Sequence, residues 1–377
     1  MKSMNLQSHR IGVLHIDPEW SWRGGQQQAA YLFEYMRKAK FHTALVCQPD
    51  SKFHEACLKR ELPCIPLRIR GELDWMAGFR IARLCRQTGF SILHLHSAHA
   101  LATGLWAKFF FRSLKLVAVR RVDFHIQKNP FSYYKYRTRS LNRLVCISDA
   151  IRNILIEDGI PYNRLTTIHS GVDIHRFDAI ESDIQFKKNL GIPASHIVAG
   201  TVAALVNHKD YPTLIAAAKT VLSKNPSVTF IAVSDGPERD AIRNFAEISC
   251  PGNRFMFLGH REDIGNVLKN LDIFILASRQ EGMGTSILDA QSVGLPIIAT
   301  LAGGIPEIVA DGMNGLLVRP GDPEALAEAV LRLAADKPLR EKLGENGKAA
   351  VRKFDVRITI HQYISLYQKL MDGSPEI

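Results

Sequence analysis

The sequence predicts an α/β protein of two doubly wound, parallel-sheet domains. Short apolar runs alternate with longer stretches of helical spacing from end to end, the pattern of strands joined by crossover helices. The 377 residues exceed the ~100–200 of one ordinary domain. The rhythm also stops at a polar stretch, Asp178 to Asn189, and then begins again.

In the first half, Ile11–Ile16, Thr43–Val46, Ile92–Leu95, Leu116–Val119, Arg143–Ile147 and Leu165–Ile168 read as strands. Ser148 is placed to N-cap a helix opening at Asp149, and the last strand ends at the turn Ser170-Gly171-Val172-Asp173. In the second half, Ile197–Ala203, Val228–Val233, Phe255–Leu258, Ile273–Leu276, Pro296–Thr300 and Gly315–Val318 read as strands. Pro212–Leu222, Ile287–Val293 and Pro323–Ala334 read as helices, the last with Asp322 as N-cap and Pro323 at its first position. The spacing of Ile360, Ile364, Tyr367 and Leu370 predicts a terminal helix over 356–371.

Composition narrows the class. Apolar residues at 46% and charged residues at 23% exclude wholesale disorder and fibrous repeats. The best membrane-span candidate, Leu101 to Phe111, falls short of the ~18 apolar residues a span needs and contains Lys108. Met1 to Arg10 is polar and lacks the apolar run of a signal peptide. Six scattered cysteines without a C-x-x-C pair indicate neither a disulfide framework nor a zinc site. A soluble cytosolic protein is expected.

The net charge is +11, and it is unevenly spread. Residues 1–190 hold 29 lysines and arginines against 16 acids, whereas residues 191–377 hold 19 against 21. The densest part runs from Lys115 to Arg143, where eight cations face only Asp123 and aromatics such as Phe131, Tyr133, Tyr134 and Tyr136 interleave. Such a stretch suits anionic lipid headgroups, nucleic acid or a phosphorylated acceptor. It is equally readable as a solvated helix face.

Ligands of open α/β sheets bind at the carboxyl ends of strands, so the loops there hold the candidate chemistry. Glu281-Gly282-Met283-Gly284-Thr285-Ser286-Ile287-Leu288-Asp289 follows an apolar strand and opens a helix. Its glycines permit close backbone approach, and amides at a helix start favour phosphate. Thr285 and Ser286 can cap that helix or donate to phosphate oxygens, and the Asp289 carboxylate can accept from ribose hydroxyls. By itself the segment reads as well as a capped βα turn. Ile287 stands where a dinucleotide fingerprint has its third glycine. Lys209, just past a strand end, is placed to neutralise a leaving diphosphate, or is an ordinary surface lysine. His94 and His96 share one side of a strand. With no acid or cysteine near them, hydrogen bonding is favoured over metal ligation. Trp22-Arg23-Gly24-Gly25-Gln26 reads as a flexible loop opening a helix.

In order, these segments resemble glycosyltransferase family 4, retaining nucleotide-sugar transferases of the GT-B fold. The resemblance rests on Gly24-Gly25, His94-x-His96, Ser170-Gly171-Val172-Asp173, Gly200…Lys209, Asp235-Gly236-Pro237-Glu238, Phe257-Leu258-Gly259-His260-Arg261, the segment at Glu281, Gly303-Gly304-Ile305-Pro306-Glu307 and Asn314-Gly315-Leu316-Leu317-Val318. It spans about nine-tenths of the chain.

The resemblance implies two Rossmann-like domains facing across a cleft. Residues 1–178 would be the acceptor side, joined by a C-terminal helix 356–372 packing back on it, and residues 190–355 would bind the donor. Lys209 would bind the donor diphosphate beside the backbone of Gly282, Met283, Gly284, Thr285 and Ser286. Asp289 would hold the ribose, Glu281 the sugar hydroxyls, and His96 the donor sugar. Gly24 and Gly25 would admit phosphate, and the loop Gly259–Ile264, with Arg261, the nucleobase.

Two departures stand out. Ala204 occupies the position of the arginine the family commonly has five residues before the lysine, leaving His208 or another residue to substitute. Asp289 replaces the usual glutamate. The Lys209–Glu281 pair remains, so an active enzyme is expected. With no D-x-D signature, no metal is expected. The implied function is sugar transfer from a nucleotide sugar to a glycan or lipid-linked acceptor in lipopolysaccharide, capsule or exopolysaccharide synthesis. The implied place is the cytoplasm, peripheral to the anionic inner face of the membrane through Lys115–Arg143. Two alternatives compete. A non-hydrolysing nucleotide-sugar 2-epimerase shares the architecture, but the Glu281 segment and Gly303–Glu307 match the transferases better. A basic non-enzymatic nucleic-acid binder lacks any recognised module.

Overall fold

The computed structural model describes residues 11–127 and 130–373. The polar segment 1–10 and Lys128 of the basic stretch lie outside the described residues. The chain divides into two compact units: the described residues up to Ser170 together with those from Val356 onward, and Gly171–Asp355.

The first unit holds seven parallel strands in the order β3-β2-β1-β4-β5-β6-β7. They are β1 (Gly12–Asp17), β2 (His42–Cys47), β3 (Cys64–Pro66), β4 (Ile92–Leu95), β5 (Lys115–Arg120), β6 (Arg143–Cys146) and β7 (Leu165–Thr167). The second unit holds six in the order β10-β9-β8-β11-β12-β13. These are β8 (Ile197–Val202), β9 (Val228–Val233), β10 (Phe255–Gly259), β11 (Ile273–Leu276), β12 (Ile297–Thr300) and β13 (Leu316–Val318). Every residue of β1 and β9 is buried, as parallel sheets covered on both faces require. That double burial explains why the strands read as apolar runs rather than alternating ones. The strand β3 escaped the sequence reading. It is three residues long at a sheet edge and ends in Pro66, where a missing amide costs no ladder bond.

Helix starts follow local chemistry. Ser148 accepts from the Ile151 amide at 3.3 Å and Asp322 from that of Ala325 at 2.9 Å, both at the expected caps. Of the two roles open to Thr285 and Ser286, capping the Thr285–Ser292 helix is not the one they take. Gly284, at φ +80°, takes the N-cap position, and no side chain caps the helix. The two hydroxyl residues instead lie inside its first turn, past the point from which a cap reaches back.

The basic stretch is also not one solvated face. Its residues Lys115–Arg120 form β5, and the Arg120 guanidinium is buried over the rings of Phe124 and Tyr136, at 4.6 and 5.4 Å. Lys135 is buried too, donating to Glu72 Oε1 at 2.5 Å and Ala98 O at 3.1 Å. Desolvated cations need such partners. Arg137 and Arg139 are the exposed cations of this stretch among the described residues.

The Val356–Asp372 helix belongs to the first unit, where Ile360, Tyr363, Ile364 and Tyr367 are buried. Among the described residues, no helix is long and apolar enough to cross a membrane.

Candidate active site

Strand order reverses between β8 and β11 in the second unit and between β1 and β4 in the first. Loops leaving adjacent strands at such a switch point diverge and open a crevice at the carboxyl ends. Lys209 follows β8, Glu281 follows β11, Gly24 and Gly25 follow β1, and His96 follows β4.

Two backbone bonds shape the loop after β8. The Leu205 amide donates to Asp235 O at 3.1 Å, and the Glu238 amide donates to Leu205 O at 3.1 Å. Gly236 permits this approach, because a Cβ there would lie 2.3 Å from the Leu205 oxygen. A single 3-10 turn, Asn207–Lys209, then presents Lys209 before the Tyr211–Lys224 helix. Lys209 Nζ donates to Glu281 Oε2, and Ser278 Oγ donates to the same oxygen at 3.3 Å. Only 16% and 14% of the Lys209 and Glu281 side chains are exposed, so solvent screens this ion pair less than a surface pair. The Gly303–Glu307 segment supports it from below, with the Gly304 amide donating to Glu281 O at 3.0 Å.

Sequence reasoning missed Asp210 and Arg279. Asp210 sits at φ +50° with its side chain buried. Its Oδ2 accepts from Thr213 Oγ1 and from Arg279 Nε, each at 2.7 Å. The Arg279 amide also donates to His208 O at 2.8 Å. A second cation thus sits on the Lys209 turn, although Ala204 occupies the usual arginine position. The signal for it was an arginine two residues before Glu281. Sequence alone does not show that the loop after β11 folds over the turn after β8.

Asp289 lies on the Thr285–Ser292 helix with Oδ1 shut off from solvent and without a hydrogen-bond partner. Burial pushes its carboxyl up to about 6; Arg176 opposes that shift and Asp173 of the Ser170–Asp173 turn adds to it. The side chain of Met283 is buried, as is Gly282. Gly259 ends β10 at φ +69°, and the Arg261 fork is held bidentate by Asp263, at 2.8 and 2.6 Å.

In the first unit, Gly24 and Gly25 begin the Gly24–Lys38 helix. Gln26 links that start to β1, donating to Asp17 Oδ2 at 3.0 Å. The His96 ring stacks on His94 at 4.2 Å, and its Nε2 lies 3.0 Å from His15 Nδ1. Tyr367 of the C-terminal helix places its hydroxyl 2.5 Å from His94 Nδ1. Burial holds all three imidazoles well below their ordinary range, so they are neutral near pH 7. Their ligand atoms lie within 4.8 Å of one another, close enough to share an ion. No carboxylate joins that set, and the Arg121 guanidinium disfavours further positive charge beside His94 and His96. A polar hydrogen-bonding pocket, lined also by Gln28, Ser170 and Tyr363, suits these groups better than a cation.

The family profile described as Glycosyltransferase Family 4 matches residues 22–176, and that described as Glycosyl transferases group 1 matches residues 182–350. The UDP-Gal:alpha-D-GlcNAc-diphosphoundecaprenol alpha-1,3-galactosyltransferase of Escherichia coli is 26% identical over 358 residues, covering 89% of this chain and 91% of the relative. The capsular polysaccharide biosynthesis glycosyltransferase CapM of Staphylococcus aureus is 24% identical over 238 residues, covering 61% and 62%. Among solved structures, a glycosyltransferase from Rickettsia africae superposes with a TM-score of 0.86 at 18% identity, covering 97% of this chain and 100% of that one. Anabaena HepE in complex with UDP and glucose superposes with a TM-score of 0.84 at 22% identity, covering 95% and 99%. These structures establish the fold as GT-B.

Arg279→Ala leaves the buried Asp210 carboxylate with Thr213 alone. Urea unfolding is expected to show a loss of about 1–3 kcal/mol. A loss below ~0.5 kcal/mol, the ordinary scatter of surface substitutions, would mean that the Arg279–Asp210 contact does not hold the turn.

Proposed function

The chain belongs to glycosyltransferase family 4, and from that premise we propose that it moves a sugar, with retention, from a nucleoside diphosphate sugar to a hydroxyl of a glycan or lipid-linked acceptor. The observation that carries this reading is the Lys209–Glu281 pair, set where the loops after β8 and β11 diverge. The relatives named above act in lipid-linked glycan and capsule synthesis by their descriptions, which favours surface-polysaccharide assembly at the cytoplasmic side of a membrane.

The second unit is the donor domain in this reading, and the first is the acceptor domain. The bond from anomeric carbon to phosphate breaks through an oxocarbenium-like state, so leaving-group charge must be stabilised and the acceptor held. Lys209 and the start of the Thr285–Ser292 helix, at Gly282, Met283, Gly284, Thr285 and Ser286, take the diphosphate. Arg279 supplies the second cation in place of an arginine at 204. An arriving diphosphate competes with Glu281 for the Lys209 ammonium, leaving Glu281 to accept from sugar hydroxyls. Asp289 accepts from the ribose, and Gly259 with Arg261 borders the base. In the first unit, His96 serves as a neutral hydrogen-bonding group toward the sugar, and Gly24 and Gly25 admit phosphate. Among the assigned residues no carboxylate stands as a nucleophile opposite Glu281. The acceptor oxygen therefore attacks on the face the phosphate leaves: the new C–O bond forms, the C–O bond to phosphate breaks, and the acceptor proton passes to a phosphate oxygen. Two cations and helix-start amides supply the charge stabilisation without a metal.

A donor screen by nucleotide release tests the activity, and NMR of the product reports the anomer. An inverted product would overturn retention. Lys209→Ala is expected to lower turnover by at least about a hundredfold, in line with removal of one leaving-group stabiliser, with unchanged circular dichroism. Arg279→Ala is expected chiefly to raise the donor KM. Near-native kinetics in Lys209→Ala would reject its diphosphate role.

Transfer should persist in EDTA. Loss of activity that Mg or Mn restores would show that the cations are insufficient.

The carboxylate form of Asp289 is the one that accepts from both ribose hydroxyls, and its carboxyl titrates at about 6. Donor affinity is therefore present above that pH and lost below it, by roughly tenfold between pH 7 and pH 5. Calorimetry with UDP-glucose, whose diphosphate does not titrate in this window, reads the change. Asp289→Asn should flatten the profile; an unchanged slope in that variant would assign the titration elsewhere.

A further inference from the structure

Arg121 is a cation of the first unit that the structure leaves without a partner. It directly follows β5, and its side chain is half-buried. Its Nε is shut off from solvent with no hydrogen-bond partner. Among the described residues, no oxygen accepts from the guanidinium and no carboxylate pairs with it. The preceding Arg120 shows what an interior arginine ordinarily has: it donates to Phe124 O at 2.8 Å and lies over two rings. Burial pulls the Arg121 guanidinium below its ordinary range, and Tyr363 and Asp17 oppose that shift only in part. Asp17 is engaged elsewhere, accepting from Gln26 Nε2 at 3.0 Å and from the Glu19 amide at 3.1 Å. A partly desolvated charge without a partner is costly.

Its surroundings add to that cost. The Gly24–Lys38 helix begins against Arg121, where a Cβ on Gly25 would lie 3.3 Å from Cδ and 3.6 Å from Nε. The positive end of a helix dipole therefore meets a positive side chain, and the first turn contains no acidic residue. The other neighbours carry no negative charge either. His94, His96 and Ser170 line a small cavity with Arg121, and His94 Nε2, His96 Nδ1 and Ser170 Oγ are likewise buried without partners. That cavity encloses about 10 Å³, room for about one water and too little for a larger ion. An anion therefore reaches the guanidinium at its solvent-facing part, beside the helix start.

An oxyanion placed there answers both deficits, accepting from the guanidinium fork and from the first amides of the helix. We propose that Arg121 and the start of the Gly24–Lys38 helix form a phosphate site, with Arg121 a substrate-binding residue contributed by the first unit. The proposal rests on the transfer proposed above and deepens it: Gly25 admits the phosphate, and Arg121 supplies the charge that a glycine turn lacks. The phosphate belongs either to the nucleotide-sugar donor or to a phosphorylated acceptor, since both present the same oxygens to the fork.

Calorimetry on the full chain tests the site with two probes. One is UDP, and the other is inorganic phosphate added to protein already saturated with UDP. If the phosphate is the donor's, Arg121→Gln should bind UDP at least about tenfold more weakly and uridine equally well. If it is the acceptor's, UDP binding holds, and inorganic phosphate binds the UDP complex of the wild type but not that of the variant. Gly25→Ala, whose Cβ crowds the guanidinium at a helical position, should weaken the same probe with the charge still in place. Without ligand, Arg121→Gln should melt at or above the wild-type temperature, because an unpaired charge has been removed. A marked loss of stability would mean that the guanidinium is held within the protein and would overturn the proposal. Unchanged binding of both probes would overturn it as well. Arg121-dependent phosphate binding by a protein that transfers no sugar would instead fault the proposed function and leave the site standing.

Discussion

A lysine and a glutamate that meet at a sheet's switch point organise the second unit. Lys209 and Glu281 lie 72 residues apart in sequence, and each stands on a loop whose course is set by other bonds. Asp235, Gly236 and Glu238 fix the first loop, while Gly304 and Ser278 hold the second. Arg279 crosses from one to the other to satisfy the buried Asp210 carboxylate. A mostly shielded ion pair is sensitive to its geometry, because neither charge has much water to fall back on. That sensitivity suits a site where an incoming anion takes over one member of the pair.

The first unit solves a different problem. Three imidazoles sit in its interior without a counter-charge, and burial keeps them neutral. The stacked His94 and His96 rings are braced by the terminal helix through Tyr367 and Tyr363. The last stretch of the chain therefore bears directly on residues near position 95. A neutral imidazole can donate and accept hydrogen bonds without carrying charge into the pocket it shares with Arg121.

Much of this was legible in the sequence for definite reasons. Doubly covered parallel strands must be apolar along their whole length, so β1, β9 and β11 announced themselves. The Ser148 and Asp322 caps were readable because a cap acts within three residues. Where a neighbour in space decided the outcome, local chemistry misled. Thr285 and Ser286 are capping residues by type, yet Gly284 occupies the cap. Arg120 and Lys135 look solvated by composition, yet each is buried against partners brought from elsewhere. The edge strand β3 has too little local signal to be read.

The sequence by itself determined the α/β class, the order of the motifs and the residue types at the strand ends, since these depend on periodicity and short-range spacing. Tertiary structure alone decided that Lys209 meets Glu281 and that Arg279 reaches the turn beside Ala204. The physical reason is the reversal of strand order in each sheet, which makes neighbours of strands that the chain visits far apart. Which loops share a crevice follows from that order and has no local signature.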